Sequence, residues 1–181
     1  MTRLRPSLNA LLAAGLLAAT PAAADELGDL MHRLSDPELE RWERVERRIL
    51  SEWSKSGSPA MDLLLQRGRA ALDAGDFDAA IDHLTALTDH APDFAEGWNA
   101  RAAAFYERGD YGPAMADLGR ALALNPSHFG ALAGLGLILE ETGRKPHALE
   151  VFRAAQAIHP HQPVIRRAVE RLEAQISGRE T

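Results

Sequence analysis

Residues 95–128 read AEGWNARAAAFYERGDYGPAMADLGRALALNPSH, and within them Trp98, Ala102, Phe105, Gly109, Tyr111, Ala114, Leu118, Ala121 and Pro126 decide the fold. Several of these positions recur 34 residues away on either side: Gly75, Gly109 and Gly143; Ala80, Ala114 and Ala148; Pro92, Pro126 and Pro160. Gly68, Ala102 and Gly136 form a column that holds only small side chains. Leu84, Leu118 and Phe152 form a column of large apolar ones, and Phe105 and Leu139 another, broken at Ala71. Self-similarity at a fixed period of this length is the signature of an array of stacked units.

Each column has a physical reading. Glycine accepts the left-handed conformation just past a helix end, so Gly75, Gly109 and Gly143 mark the stop of one helix. Asp76 and Asp110 follow at once and are expected to cap the next helix; Arg144 is a poorer cap at the third site. The small residues let the two helices of a unit approach closely. The prolines end the second helix and turn the chain into the next unit.

The pattern from Trp98 to Pro126 closely resembles the tetratricopeptide repeat. Residues 61–94 and 129–162 match more loosely, with Leu64 and Leu132 in place of Trp98, so the resemblance covers three repeats: 61–94, 95–128 and 129–162. It implies an all-α, right-handed superhelix (an α-solenoid) of helix-turn-helix pairs across residues 59–162. It is weak for function, since members of the family mostly bind other proteins and rarely catalyse reactions.

Composition narrows the classes. The 181 residues carry net −6, which argues against a nucleic-acid partner, whose protein surface needs clustered basic charge. Cysteine is absent, which excludes disulfides, thiolate metal sites, a cysteine nucleophile and a lipid anchor attached through cysteine. Arg3 and Arg5, the apolar run from Leu11 to Ala19, and Ala22-Ala23-Ala24 before Asp25-Glu26 make a secretory signal peptide over residues 1–24. Its apolar segment is too short to span a membrane, which takes about 20 residues. Cleavage after Ala24 removes both arginines and no acid, taking the net charge to −8. The expected mature protein is secreted, periplasmic, and without a stable membrane anchor.

A stack of repeats needs covered ends. Val164, Ala168, Leu172 and Ile176, spaced by four, predict a C-terminal capping helix over residues 163–176, with residues 177–181 frayed. Residues 25–58 predict an N-terminal helical extension. Leu27, Leu30, Met31 and Leu34 suggest one or two turns, and Asp36-Pro37 a second helix with Asp36 as its cap. That helix carries Leu39, Trp42, Val45, Ile49 and Trp53 on one side and the pairs Glu40–Arg44 and Glu43–Arg47 on the other. Ser58 is expected to cap the first repeat helix. Trp42 and Trp53 either pack against the first repeat as a cap or form a helix for a partner or for self-association.

In the family the first helix of each repeat lines the concave face. The inward positions here are Asp62, Leu65, Gln66, Arg69, Leu72 and Asp73 in the first repeat. Glu96, Asn99, Ala100, Ala103, Tyr106 and Glu107 follow in the second, and Gly130, Ala133, Gly134, Leu137, Glu140 and Glu141 in the third. The candidate groove residues are Leu65, Gln66, Arg69, Leu72, Glu96, Asn99, Ala103, Tyr106, Leu137 and Glu140. The trough is small or apolar in its middle and acidic at its rims, which suits a protein segment that is apolar with basic flanks. Members that grip a partner's C-terminal carboxylate place Lys, Asn and Arg along this face. Leu65, Arg69, Ala100, Gly130 and Gly134 stand at the matching positions here, so only Arg69 could serve. Asn99 and Gln66 are the candidates to hold a partner's backbone.

No phosphate loop, nucleophile elbow or zinc helix is present. Of seven histidines, His159 and His161 flank Pro160 at a turn, and His83 and His90 lack a completing carboxylate. Adjacent Glu140 and Glu141 point to different sides of a helix. No catalytic residue, metal or cofactor is therefore expected. The expected function is a non-catalytic adaptor; the alternatives are a chaperone-like holder of unfolded clients, as in cytochrome c maturation, and a regulator of an envelope protease or cell-wall hydrolase.

Overall fold

The structure is a computed structural model; it describes residues 21–178, with side-chain surroundings from residue 26. The leader assigned to residues 1–24 therefore lies largely outside the described residues, as do residues 179–181. Nine helices and no strand occur among the described residues. They are α1 (Pro21–Leu34), α2 (Trp42–Trp53), α3 (Pro59–Asp73), α4 (Phe77–His90), α5 (Ala95–Arg108), α6 (Tyr111–Leu124), α7 (Phe129–Glu141), α8 (Lys145–Ile158) and α9 (Pro163–Ser177).

Helices α3 to α8 are the three hairpins of the repeat. Gly75, Gly109 and Gly143 sit at φ of 74°, 86° and 78°. At each one the next amide reaches back to the last turn, as in Asp110 N–H to the Phe105 carbonyl at 2.8 Å. That backward bond satisfies a carbonyl the helix would otherwise leave open. Ala91, Asn125 and His159, each before a proline, are extended with φ near −135°, the conformation that the following ring enforces.

The small column is where the helices of a hairpin touch. A Cβ on Gly68 would run into the Leu84 side chain, and one on Gly136 would lie 2.8 Å from Phe152 Cζ. Ala102 takes the same place above Leu118, and Ala80, Ala114 and Ala148 are fully buried. The largest knob, Phe152, thus meets the smallest hole.

Cap chemistry follows the sequence only in part. The Asp76 carboxylate accepts from Ala79 N–H at 3.1 Å, as expected. Asp110 makes no such bond, because Arg108 holds its carboxylate at 2.6 Å. Ser58 precedes α3 without capping it; Asp62 instead accepts from the Ser56 hydroxyl and amide at 2.6 and 2.7 Å.

In α9 the buried stripe is Ile165, Ala168, Val169 and Leu172, while Val164 is 49% exposed. Strict four-residue spacing drifts by about 40° per step on a helix of 3.6 residues per turn, so it cannot hold one face over three steps. Ser177, expected to be frayed, closes the last turn of α9.

The N-terminal extension departs furthest. Asp36-Pro37 does not start a helix: the Asp36 carboxylate accepts from Glu38 N–H at 3.0 Å in a tight turn. Helix α2 begins only at Trp42, after Arg41 in the left-handed region at φ 57°. Glu40 is thus outside the helix, and the ion pairs formed are Arg48 with Glu52 and Glu26, and Lys55 with Glu52. Leu30 and Leu34 of α1 and Val45 and Ile49 of α2 bury one another together with Phe129, with Trp42, Trp53 and Ile158 packed around them. The hairpin therefore lies along the edge formed by the turns before α7 and α9. Its tryptophans do not pack on the first repeat, which it meets through Ser54, bonded by Arg69 at 3.0 Å.

Candidate groove between two inner helices

The inner helices α5 and α7 flank an open hollow of about 330 Å³. Its floor exists because the residues facing it are small. Ala103 on α5 and Gly130, Ala133 and Gly134 on α7 leave room that ordinary side chains would occupy, and Leu118 and Ile138 close the space beneath. Tyr106, stacked on Tyr111 at 5.7 Å, and Leu137 stand at one end of it, and Asn99 also lines it.

Charge is distributed unevenly around this hollow. Glu107 lines it, and neither Glu107 nor Glu141 forms an ion pair among the described residues. Glu140 is gripped by Arg171 of α9 at 2.7 and 3.1 Å. Burial, and then the negative field of Glu141 and its acidic neighbours, raise the Tyr106 hydroxyl above its usual value. The phenol stays protonated and is a donor at neutral pH.

At the Asn99 end stands a buried polar cluster. Glu96 receives Arg69 Nη2 at 2.6 Å and Asn99 Nδ2 at 3.2 Å, and its other oxygen meets His128 Nε2 at 2.8 Å. His128 Nδ1 accepts from Ala131 N–H at 3.1 Å, so Nε2 must carry the proton and donate. Burial works to raise the Glu96 carboxyl, but the bond from His128 and the charge of Arg69 outweigh it and hold it below the carboxylate range. With its amide nitrogen committed to Glu96, Asn99 offers Oδ1 to a ligand, an acceptor.

The ten candidate residues separate on this geometry. Asn99, Ala103, Tyr106 and Leu137 line the hollow. Leu65 does not: it is buried in the core of the first hairpin with Leu84 and Leu87, and Leu72 packs against that core. Gln66 is exposed on α3. Glu96 is buried and Arg69 is spent on it and on Ser54, while Glu140 is tied to α9. No member of the first repeat reaches the hollow. Ala102, Leu118 and Ile138 contribute to it without having been expected; the small residues over them, Ala103, Ala133 and Gly134, leave that layer exposed. Among the described residues no His, Asp and Glu group is placed to hold a metal ion, and no helix is long and apolar enough to cross a membrane.

The tetratricopeptide repeat sequence pattern matches residues 65–121 and 109–163. A TPR repeat-containing protein of Rhizobium etli is 31% identical over 157 residues, covering 87% of this chain and 76% of its own. The chain belongs to the tetratricopeptide repeat family. Solved folds of the family superpose on it. The first tetratricopeptide repeat domain of Spaghetti (RPAP3), bound to the HSP90 peptide SRMEEVD, has a TM-score of 0.63 at 21% identity, covering 66% of this chain and 95% of that one. The Yersinia enterocolitica type III secretion chaperone SycD, in complex with a peptide of the translocator YopD, has a TM-score of 0.61 at 14% identity, covering 65% and 95%. At these identities the likeness is one of architecture: stacked helical hairpins with an inner face. Its groove is built from the second and third repeats.

Proposed function

We propose that this tetratricopeptide repeat protein is an exported, non-catalytic adaptor that seats a segment of another polypeptide between α5 and α7. The observation that carries the reading is the hollow itself, floored by Ala103, Ala133 and Gly134 and bordered by Tyr106 and the acidic Glu107. An apolar side chain of the segment fills the floor, a backbone N–H meets Asn99 Oδ1, and a lysine or arginine beside it faces Glu107 and Glu141. Apolar burial supplies the attraction and the acids supply selection. The peptide complexes of RPAP3 and SycD support a peptide as the occupant of such a fold. Residues 1–24 direct the chain out of the cytoplasm, to the periplasm, and are removed after Ala24.

Fluorescence anisotropy with labelled peptides tests the site. A leucine-rich core flanked by lysines should bind; the same core flanked by glutamates should bind at least about tenfold more weakly. Ala133→Trp, which fills the floor, should abolish the first interaction. Undiminished binding to that variant sinks the assignment. Export is tested separately, by N-terminal sequencing of the mature chain, expected to begin at Asp25.

A further inference from the structure

The N-terminal hairpin is fastened to the repeats by rings. Trp53 stacks on His128 at 4.5 Å and tilts against Phe129 at 5.0 Å. Trp42 lies flat on His161 at 5.8 Å, with 6° between the planes, and meets the His159 ring edge-on at 5.3 Å. The Phe129 ring meets His159 edge-on at 4.9 Å from the other side. His159 is fully buried at the centre of this arrangement.

The polar contacts of His159 are lopsided. Its Nε2 lies 3.2 Å from Glu46 Oε1 on α2, and Gln162 reaches the same oxygen at 3.4 Å. Its Nδ1 is buried with no hydrogen-bond partner. As a neutral ring, His159 donates from Nε2 and leaves Nδ1 as a bare acceptor, an arrangement that costs little beyond the lost solvation. A second proton would place an N–H and a positive charge against Trp42 and Phe129 with nothing to accept the bond, which a buried polar group tolerates poorly. From α2 the facing carboxylate is Glu46. From the turn before α9 the facing titratable ring is His161, 6.1 Å away, whose own protonation would add like charge. From α7 the Phe129 ring packs against it. His161 Nε2 in turn donates to the Asp36 carbonyl at 2.9 Å, so the turn that precedes α2 is pinned at the same place.

We infer that the α1–α2 hairpin is an acid-released latch, in which protonation of His159 undocks α2 from the turns before α7 and α9. Undocking uncovers Phe129, Ile158 and the two tryptophans, an apolar edge that adjoins the groove through His128 and Gly130. The direction is supported by the environment of the ring: burial lowers the His159 value below 6.5, against the opposing pull of Glu46. The docked form therefore binds the proton more weakly than the released form. Docking is complete above about pH 6.5 and weakens as the pH falls toward the docked value. One proton changes the docking equilibrium by at most about tenfold per pH unit in that interval. The device does not depend on the groove's having a peptide ligand.

The test uses the chain beginning at Asp25 with Trp98→Phe, so that Trp42 and Trp53 alone report. Between pH 7.5 and 5 their emission should shift to the red and hydrogen exchange in residues 42–53 should rise, while exchange in α3 to α8 stays unchanged. His159→Asn, the residue that repeat two carries at the matching position 125, should remove most of the response, as should His159→Phe. Nuclear magnetic resonance titration of His159 should give a value below 6.5 in the docked form. A flat wild-type response overturns the inference, as does an equal response in the docked variant. If both variants are already released at pH 7.5, the His159 titration decides, and a value at or above 6.5 in the docked wild type overturns it.

Discussion

Glu96, at the start of α5, and His128, just before α7, meet at 2.8 Å across 32 residues of chain, and both are buried. This bond joins the entrance of the second repeat to that of the third. It also fixes the tautomer of a ring on which Trp53 is stacked.

Replacing Glu96 by Ala leaves the buried His128 donor without its acceptor, while the partly exposed Arg69 can turn to solvent, and should cost about 1–3 kcal/mol. Glu96→Gln keeps two polar contacts and should cost less. The measurement is urea denaturation at pH 7. Because the Glu96 carboxyl is held below its usual range, its contribution is complete above the ordinary carboxylate value and is lost as the pH falls below it. The gap between wild type and Glu96→Gln should therefore narrow between about pH 5 and 3.

Gly136→Ala places a methyl 2.8–2.9 Å from the Phe152 ring, with Phe152 wholly buried and unable to retreat. Overpacking of this kind costs about 1–3 kcal/mol, and Phe152→Leu should recover part of it. Gly119→Ala, on the open side of α6, meets nothing within 4 Å and should stabilise by about 0.5–1 kcal/mol through helix propensity. Thermal melts of the two variants should move in opposite directions.

Asp76→Ala removes the cap bond to Ala79 and should cost about 1 kcal/mol. Asp110→Ala, at the equivalent position, loses only an exposed pairing with Arg108 and should cost less than half as much. Equal losses in denaturation would refute the distinction drawn between the two aspartates.

Ile49 is completely buried where α1, α2 and Phe129 meet. Ile49→Ala should destabilise by about 2–5 kcal/mol and raise hydrogen exchange in residues 26–53 more than in α3 to α8.

The repeats were legible because each column has a local cause: a left-handed glycine, a proline stop, a small residue under a large one. The middle of the groove was legible for the same reason, since Asn99, Ala103, Tyr106 and Leu137 follow from their place within a repeat. Leu65 holds an equivalent place yet is swallowed by Leu84 and Leu87, because burial is decided by which neighbours are large. Glu96 looked like a rim acid, and nothing in its own segment reveals that Arg69 and His128 converge on it. The hairpin was the least readable part. Asp36-Pro37 is a valid helix-start signal that the chain uses as a turn instead. The partners that position α2, such as Glu46 with His159, are 113 residues apart in sequence. His159 and His161 were weighed as metal ligands, while their contacts here are with aromatic rings, the Glu46 carboxylate and the Asp36 carbonyl.

An array of hairpins that touch only their neighbours can unravel from either end, a unit at a time. The bond from His159 to Glu46 closes this one into a loop, so that while it holds the last hairpin cannot peel away without dislodging the first two helices. Such long-range closure slows folding, since distant parts of the chain must find each other. It also makes residues 26–53 a removable clasp: docked, they hold the far edge of the last hairpin, and once they let go the repeats stand as an open-ended array on cores of their own.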